Sequence, residues 1–424
     1  MRMSPGSRAC SYLLVFGLAA CGDAAVGVAD ALHDTSGGTD TAVVVTIADT
    51  TSDADAAATE APDTLVADTL EGADTFAVDA TVEDTAAADT TIEDTLVATA
   101  DTSNDDTSTF VGCPPAPCDT PLPDLGAVQA WRHTVATPIT TFQGDPRHRG
   151  QDLYLAPNDP QWALAKFAYG PFDDDLTDED VDIYALVGCG ASWIYLATAT
   201  TTDDDEHATV EGVADSGGRV YYELPASQRL GLGRHRLAFV VRGDHSVAYQ
   251  TIEVLPADAA IVVSDVDGTQ TSSETAEFGA VFLGVDPEAR PYGADVLTAF
   301  AERGFHIFYL TARPEWLHAR THEWLAAHGY PPGVVHTSFS FTGVNGADAS
   351  AYKLAELDAL DDRLPGAVMF TIGNTDTDAA AFSDAGVPPD HSYLYQYDPG
   401  PLGTEVDDYA TLLPVARAQL SHCE

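Results

Sequence analysis

The stretch from Ala260 to Glu274, AIVVSDVDGTQTSSE, joins an apolar, β-branched run to two aspartates that lie one residue apart. The run predicts a buried strand, and Gly268 directly after Asp267 predicts a tight turn at its carboxyl end. If the chain bends between them, Asp265 and Asp267 face one pocket. Two such carboxylates suit phosphoryl transfer, in which one attacks phosphorus and the other moves a proton.

A divalent cation is expected between these carboxylates. Like charges this close repel, and Mg²⁺, a hard cation that takes oxygen ligands, would neutralise them and screen a phosphate. The alternative is a strand that merely ends in an acidic turn, because aspartate is abundant throughout the chain. A phosphoryl-transfer site also needs a hydroxyl at a strand end, a positively charged side chain and further ligands for the cation.

The first of these parts is a second strand that ends in a hydroxyl. His306 to Thr311, HIFYLT, is apolar, and the Thr311 hydroxyl would bond a phosphate oxygen. Ala312, Arg313 and the helix-starting Pro314 follow it. Taken alone, Thr311 is more typical of an ordinary strand end than of a ligand.

The next part is Lys353, which the sequence places at the start of a helix, YKLAELDAL, after a short apolar segment from Val334 to Phe339. The chain has only two lysines, Lys166 and Lys353, against sixteen arginines. A compact ammonium suits a phosphate beside a carboxylate better than a broad guanidinium fork does. The alternative is an exposed helical lysine.

The last part is the strand from Ala367 to Asn374, AVMFTIGN, which runs into the helical DAAAFSDAG. Asn374 and Asp378 lie four residues apart across the turn, so an amide oxygen and a carboxylate would face the same cation. Asp376 competes with Asp378 for this role or caps the helix. We favour Asp378.

Together, DVDGT, LTAR, the isolated Lys353 and GNTDTD resemble motifs one to four of the haloacid dehalogenase superfamily. More narrowly, SDVDGTQTSSE with YLTAR and GN-x-x-x-D is similar to the lipin-type catalytic domain, with Thr271, Ser273 and Glu274 standing where that family extends its first motif. The resemblance covers residues 257–424. It implies an α/β, Rossmann-like, three-layer fold for that region.

The resemblance also implies a role for each candidate residue. Asp265 would be the nucleophile and Asp267 the acid/base, with Thr311 and Lys353 completing the catalytic set. The implied Mg²⁺ ligands are Asp265, Asp267, Asn374 and Asp378, and the implied substrate contacts are Gly268, Thr269, Ala312 and Arg313.

The implied function is a Mg²⁺-dependent phosphoric monoester hydrolase that forms an aspartyl-phosphate, with phosphatidate or a similar phosphomonoester as substrate. Similar domains that lack the second aspartate serve as lipid-binding domains in phosphatidylinositol-transfer proteins, whereas this chain keeps Asp267. Two alternatives stay open. One is a non-catalytic module that binds acidic phospholipid, and the other is an exported general phosphomonoesterase.

The spacing of the motifs predicts a capless domain. Between Asp267 and Thr311 there is room for a loop, one helix (Gly293 to Arg303) and a strand, and between Thr311 and Lys353 for one helix and a short strand. The site should therefore open at the carboxyl ends of a parallel sheet. An open site suits a bulky or surface-presented phosphate.

Residues 123–256 are predicted to form an all-β, immunoglobulin-like sandwich, because short alternating runs such as DVDIYALVG and HRLAFVVRGD are separated by turn residues. The acidic loop from Phe172 to Tyr184 is similar to a cation loop but lacks the glycine of a calcium site. Arg147 to Arg149 and Arg234 to Arg236, both Arg-His-Arg, are interpreted as surface charges, with contact to phosphate headgroups as the alternative.

Residues 1–21 are interpreted as a lipoprotein signal peptide. Their apolar stretch ends in LAAC, which resembles a bacterial lipobox and would make Cys21 the lipidated residue. The alternative is an ordinary cleavage site. Residues 22–122 carry recurrent Asp-Thr pairs and few aromatics, which predicts a disordered tether. These features predict an exported lipoprotein anchored in a membrane of the bacterial cell envelope.

The formal net charge of −49 restricts the partners. Such a surface repels nucleic acid, so none is expected as a partner. The expected partners are membrane lipid, reached through the N-terminal anchor, and a phosphorylated lipid or small phosphomonoester.

Four cysteines remain after Cys21, and four allow three pairings. We expect Cys113 to pair with Cys118, and Cys189 with Cys423. His318 and His322 lie four residues apart on one helix face, as metal ligands do. No third ligand is evident in the sequence, and core packing explains the helix.

Overall fold

The structure is a computed structural model that describes residues 112–113, 115–272 and 287–423. The predicted signal peptide with Cys21 and most of the predicted tether lie outside the described residues, as do Ser273 and Glu274. The described chain forms a β-sandwich followed by an α/β domain.

The β-sandwich is built from short strands whose side chains alternate between core and surface. Its elements are α1 (Ala136–Thr141), β1 (Arg149–Gly150), β2 (Leu153–Leu155), β3 (Trp162–Lys166), β4 (Ala168–Tyr169), β5 (Asp174–Asp175), β6 (Asp180–Leu186), β7 (Ile194–Thr200), β8 (Arg219–Glu223), β9 (Gly233–Val241) and β10 (Val247–Val254), with a 3₁₀ turn at Val187–Cys189.

These strands form two main sheets. One has the order β1-β3-β8 and the other β2-β10-β9-β6-β7, while β4 and β5 form a separate pair. Neighbours are antiparallel except for β2 and β10, which run parallel. Leu164 and Val220 of the first sheet and Ile183, Phe239 and Ile252 of the second belong to one buried cluster. The sandwich therefore has its own core.

The α/β domain alternates strands and helices. Its elements are β11 (Ile261–Ser264), α2 (Gly293–Ala301), β12 (His306–Pro314), α3 (His318–Ala327), β13 (Val334–Ser338), α4 (Gly346–Arg363), β14 (Val368–Gly373), α5 (Asp376–Asp384), β15 (Ser392–Tyr395), β16 (Thr404–Val406) and α6 (Leu413–Ala418), with 3₁₀ turns at Glu315–Leu317, Pro389–His391, Gly400–Leu402 and Tyr409–Thr411.

The six strands form one parallel sheet in the order β13-β12-β11-β14-β15-β16. The four strands predicted around the candidate site are confirmed as β11 to β14. β15 and β16 escape sequence-based detection because they have only four and three residues.

The central strand β11 is apolar on both sides because both faces of the sheet are covered. Val262 lies in a core with Phe300 of α2, whereas Ile261 and Val263 lie in a second core with Leu357 of α4. All four residues of β11 are buried. The strand is thus a rigid support for Asp265, the residue that follows it.

The predicted position of Lys353 at the start of a helix is wrong. Helix α4 begins at Gly346, so Lys353 lies in its third turn. The polar first turns carry no apolar periodicity, which hides the true start in the sequence.

The predicted disulfide pairing is also wrong. Cys113 pairs with Cys423, and Cys118 pairs with Cys189. The segment before the sandwich is therefore bonded to the C-terminal end of the α/β domain and to the sandwich, and CPPAPC does not close on itself.

Two arginines that were interpreted as surface charges are buried in ion pairs. Arg149 donates to both carboxylate oxygens of Asp173 at 2.6 Å and to Glu315 at 3.1 Å. Arg234 lies beside Glu253. The surface interpretation is therefore wrong for both, because the acidic loop and the α/β domain supply the counter-charges of Arg149, and β10 of the sandwich supplies that of Arg234.

The two domains share a buried joint. The Tyr154 hydroxyl of β2 donates to the carbonyl oxygen of Ile307 in β12 at 2.8 Å. Glu253 of β10 accepts from Arg234 Nε and lies 2.6 Å from His306 Nδ1 of β12. Burial raises the pKa of Glu253, but Arg234 and His306 outweigh it and bring that pKa to about 2. The joint therefore relies on a paired charge.

We expect Glu253→Gln to lower the free energy of unfolding by about 3 kcal/mol at neutral pH, because it leaves the buried Arg234 guanidinium without its counter-charge. The folded-state pKa of Glu253 lies below its ordinary value of 4.5, so the loss should persist down to that pH and shrink only below it. Urea unfolding followed by circular dichroism measures it. Glu223→Gln, an exposed site, is the control. Equal midpoints for the two variants would refute the expectation.

Candidate functional site

The candidate site lies at the carboxyl ends of three neighbouring strands. Asp265 follows β11, Thr311 lies in β12, and Asn374 follows β14. Because β11 is hydrogen-bonded to both β12 and β14, their ends meet at one edge of the sheet. The structure therefore brings these residues together at one place.

Lys353 reaches this edge from α4 and bridges two carboxylates. Its Nζ lies 2.7 Å from Asp265 Oδ1 and 2.5 Å from Asp378 Oδ1. All three side chains are buried. Burial lowers the pKa of Lys353, but the two aspartates raise it further, so its net shift is upward. The ammonium is therefore a fixed positive charge at the centre of the site.

Asp265 is the carboxyl group with the strongest upward shift at this edge. Its pKa is raised to about 7, first by burial and then by the charges of Asp378 and Asp267, although Lys353 opposes the shift. Asp378 is shifted the other way. Burial raises the pKa of Asp378, but Lys353 and the hydrogen bonds from Asn374 and Thr375 lower it more. The lysine thus shares its charge unequally between two carboxyl groups.

The Thr269 hydroxyl joins Asp265 to Asn374. Its Oγ1 lies 2.8 Å from Asp265 Oδ2 and 2.7 Å from Asn374 Oδ1. A hydroxyl carries one hydrogen and can donate to only one of them at a time. A protonated Asp265 that donates to Thr269, which in turn donates to Asn374, satisfies all three groups. The raised pKa of Asp265 is consistent with this arrangement.

Asp378 is held by the start of helix α5. Thr375 is the N-cap, and Asp378 completes a capping box by accepting the backbone N–H of Thr375. The Oδ2 atom of Asp378 accepts from the Asn374 and Thr375 backbone at 3.0 and 3.1 Å. Asp376 is exposed and accepts from the backbone of Thr377. The structure therefore places Asp378 in the cluster and Asp376 outside it.

Asp267 is held by a different partner. Arg313 Nε lies 2.8 and 3.0 Å from its two oxygens, and the terminal nitrogen Nη2 lies 2.8 Å from Oδ1. Thr311 donates to Asp267 Oδ2 at 2.9 Å. Arg313 is fixed in turn by a bond to Thr321 at 3.0 Å. Both oxygens of Asp267 are thus engaged by side chains from β12.

Two supports of the site loop escape sequence-based detection. Arg290 donates to the carbonyl oxygens of Gly268 and Thr271 at 3.1 Å, and the Tyr409 hydroxyl donates to the carbonyl oxygen of Thr269 at 2.9 Å. Gly268 has a φ of +72°, which favours glycine. Neither Arg290 nor Tyr409 lies in a motif, so only the fold shows their role.

Ala312, the remaining predicted substrate contact, uses its carbonyl oxygen in hydrogen bonds outside the lysine–carboxylate cluster. Its oxygen accepts from the backbone of Val344 at 3.1 Å and from Ser338 Oγ at 3.2 Å. These bonds fasten the loop after β13 beside Arg313. Ala312 therefore positions its neighbours.

Fold and site together define a class: a β-sandwich joined to an α/β domain with a buried lysine–carboxylate cluster. Residues 146–254 match the family model "PITM 1-3, beta-sandwich domain", and residues 262–396 match "PITM 1-3, LNS2 domain". Both family models thus describe domains of PITM 1-3 proteins.

Individual proteins with similar sequences carry related names. Membrane-associated phosphatidylinositol transfer protein 2 of Homo sapiens is 33% identical over 58% of this chain and 17% of its own length, and protein 3 of Homo sapiens is 33% identical over 45% and 18%. Protein retinal degeneration B of Drosophila melanogaster is 28% identical over 63% and 19%. The chain thus spans less than one fifth of the length of these relatives.

A solved structure of a hypothetical protein from Xanthomonas campestris is 17% identical over 38% of this chain and 85% of that chain. Its TM-score is 0.25, a likeness too slight to inform the fold.

These matches correct several predictions. The identification as a lipin-type phosphatase of the haloacid dehalogenase superfamily in a bacterial lipoprotein is wrong, since the relatives are named as phosphatidylinositol transfer proteins. The relatives' names also contradict the predicted phosphatase activity and enzyme class. They agree better with the alternative, a module that binds lipid. The relatives are membrane-associated proteins of animals, which contradicts the predicted export to a bacterial cell envelope and is consistent with binding of membrane lipid.

Within residues 112–113, 115–272 and 287–423, no helix is long and apolar enough to cross a bilayer.

The raised pKa of Asp265 predicts a pH-dependent stability. Because its folded-state pKa of about 7 exceeds the ordinary 3.8, ionisation opposes folding, and the protein should lose stability as the pH rises between those values. Asp265→Asn removes this penalty. Its melting temperature relative to the unsubstituted protein should therefore rise between about pH 5 and about pH 8.

The control is Asp376→Asn, which removes a carboxylate from the same edge but outside the cluster. The melting temperature of Asp376→Asn, relative to that of the unsubstituted protein, should not rise over this pH range. Parallel pH profiles for Asp265→Asn and the unsubstituted protein would contradict a neutral Asp265.

Proposed function

We propose that this chain is a lipid-binding module whose α/β domain holds the phosphate of an acidic phospholipid without hydrolysing it. The observation that carries the proposal is the bidentate contact between Arg313 and Asp267. An acid/base group must deliver a proton to a leaving oxygen and later take one from water. Asp267 instead uses both oxygens as acceptors from Arg313 and Thr311.

The cluster offers the groups that a phosphate needs. Arg313 and Lys353 supply two positive charges, and Thr269 and Thr311 supply hydroxyls. Charge-assisted bonds to phosphate are the strong ones. Asp267 and Asn374 are the partly exposed members of an otherwise buried set, so the ligand would approach beside them.

We propose Mg²⁺ as the cofactor of this binding. With Asp265 protonated, the charges of Asp267 and Asp378 balance those of Arg313 and Lys353, so the cluster has no net positive charge with which to attract a phosphate. The donors are all oxygens, as Mg²⁺ prefers. Thr269 Oγ1 contacts both Asp265 and Asn374, which shows that these two oxygens face one point.

The residues that would hold the ion are Asp265, Asp267, Asn374 and Asp378. Bound there, the cation would supply positive potential for the phosphate. In the present arrangement Lys353 holds Asp378 and Arg313 holds Asp267. These two ion pairs keep the carboxylates oriented toward the site.

We propose that the α/β domain is a capless, Rossmann-like, three-layer domain that is haloacid dehalogenase-like in shape alone. Supporting it are the all-parallel strand order and the helices that cover both faces, with α2 and α3 on one and α4 and α5 on the other. We likewise propose that the sandwich is immunoglobulin-like, which its two facing sheets of short strands support.

The names of the two human relatives concern transfer of phosphatidylinositol. The chain matches less than one fifth of their length, so transfer itself is not assigned to it. We propose that the matched region contributes recognition of a membrane that contains acidic lipid.

Lys353→Met tests the binding site. The full chain should sediment with phosphatidylcholine vesicles that contain phosphatidate, and not with phosphatidylcholine alone, and should release no phosphate. The variant loses charge-assisted bonds to the lipid phosphate, so its affinity should fall at least about tenfold.

Lys166→Met is the matched control, because Lys166 is the other lysine and is also buried in polar contacts, with Ser216 and Asp175 in the sandwich. It should bind as the unsubstituted protein does. Circular dichroism and melting confirm that each variant is folded. Phosphate release by the unsubstituted protein, or equal loss in both lysine variants, would defeat the proposal.

Removal of Mg²⁺ tests the cofactor. Vesicle binding should drop in EDTA and return when Mg²⁺ is added in excess, because the bound cation supplies the net positive charge that attracts the phosphate. Asn374→Leu should weaken this dependence, whereas Asn158→Leu, on an exposed turn of the sandwich, should not. Binding that is the same with and without EDTA would exclude a role for the cation.

A further inference from the structure

A second cluster of ligand-type side chains lies at the joint between the two domains, away from the Lys353 site. Asp152 precedes β2 of the sandwich, and His318 and His322 lie on α3 of the α/β domain. One ligand atom from each residue lies within 4.8 Å of the other two. The third partner of the histidine pair thus comes from the other domain, 166 residues earlier in the chain for His318.

Both histidines point at the same oxygen atom. His322 Nε2 lies 2.7 Å and His318 Nε2 lies 3.5 Å from Asp152 Oδ2. His322 at its distance forms an ordinary hydrogen bond, whereas the distance of His318 is too long for one. The Nε2 atom of His318 is buried and has no hydrogen-bond partner in the described structure. A buried ring nitrogen without a partner requires an explanation.

A hydrogen-bonded ion pair explains the position of His322 but not that of His318. Asp152 Oδ2 already accepts the backbone N–H of Val335 at 3.0 Å in addition to His322. A third donor on the same oxygen is crowded, which is why His318 stays at a distance. An ion placed between the three atoms would accept lone pairs from all of them and leave none unused.

We propose that Asp152, His318 and His322 bind a divalent transition metal ion, Zn²⁺ in the first instance, which joins the sandwich to the α/β domain. Two imidazoles with one carboxylate are a ligand set that suits Zn²⁺. Tetrahedral Zn²⁺ with bonds of about 2.0 to 2.1 Å keeps its ligand atoms roughly 3.3 Å apart. The His318 to Asp152 distance already has that length, and His322 must retreat by only about half an ångström.

The surroundings favour this movement. Asp152 is fully buried, and its other oxygen accepts the backbone N–H of Thr251 at 2.7 Å, which fixes the carboxylate. His322 is the partly exposed ligand, with 33% of its side-chain surface accessible, so it can shift without disturbing the core. A water molecule on that side would complete the tetrahedral set. The site would therefore be loaded and stripped without unfolding.

Zinc content tests the proposal. The full chain, stripped with EDTA and then dialysed with Zn²⁺, should retain one equivalent more than His322→Gln or His318→Gln, as measured by elemental analysis. Zn²⁺ should raise the melting temperature of the unsubstituted chain by roughly 5 °C and leave both variants unshifted. Co²⁺ in its place should give the visible absorption of a tetrahedral site.

Two controls separate this site from others. His328→Gln, at the end of the same helix, should keep the metal and the shift. Asp265→Asn should also keep both, since it alters the lysine–carboxylate site and not the joint. His322→Gln retains a donor for Asp152, so it should fold. Equal zinc retention by the unsubstituted chain and both cluster variants, or a melting temperature indifferent to Zn²⁺, would overturn the proposal.

Discussion

The arrangement of the α/β domain depends on one buried ammonium group. Lys353 lies between Asp265 and Asp378, and all three side chains are buried. A buried carboxylate without a partner is costly, and two that face each other are worse. The strand ends and the cap of α5 can bring acidic groups together only because α4 delivers a positive charge to them. The excess that remains falls on Asp265, whose pKa is about 7.

Much of this could be read from the sequence, because the signals are local. Apolar runs that end in polar residues mark β11, β12 and β14, and parallel strand ends meet by geometry. What could not be read is pairing over long separations. Nothing near Arg149 or Arg234 shows that each is buried against a carboxylate, and Asp152 carries no sign that it meets His318 and His322. Such contacts are decided when the domains pack.

The residue types at the site are those of a phosphatase, but the hydrogen bonds of Asp267 do not suit proton transfer. The motif that contains Asp265 and Asp267 retains the residue types of a phosphatase, which is why the sequence resembles one. The structure adds that Arg313 occupies Asp267 through a guanidinium fork, a geometry that fixes a carboxylate more firmly than a lysine would. A group fixed in this way can orient a ligand.

The sandwich takes part in the site through the helix that carries Lys353. Arg363, at the end of α4, donates to the carbonyl oxygen of Tyr154 at 3.0 Å and is paired with Glu211. Glu356, one turn after Lys353, lies 2.6 Å from His336, whose other ring nitrogen lies 2.8 Å from the carbonyl oxygen of Asp152. Both contacts reach the segment around β2. Because α4 is fastened there along its second half, loosening the joint would move the ammonium that holds Asp265 and Asp378, and the site is therefore a property of both domains.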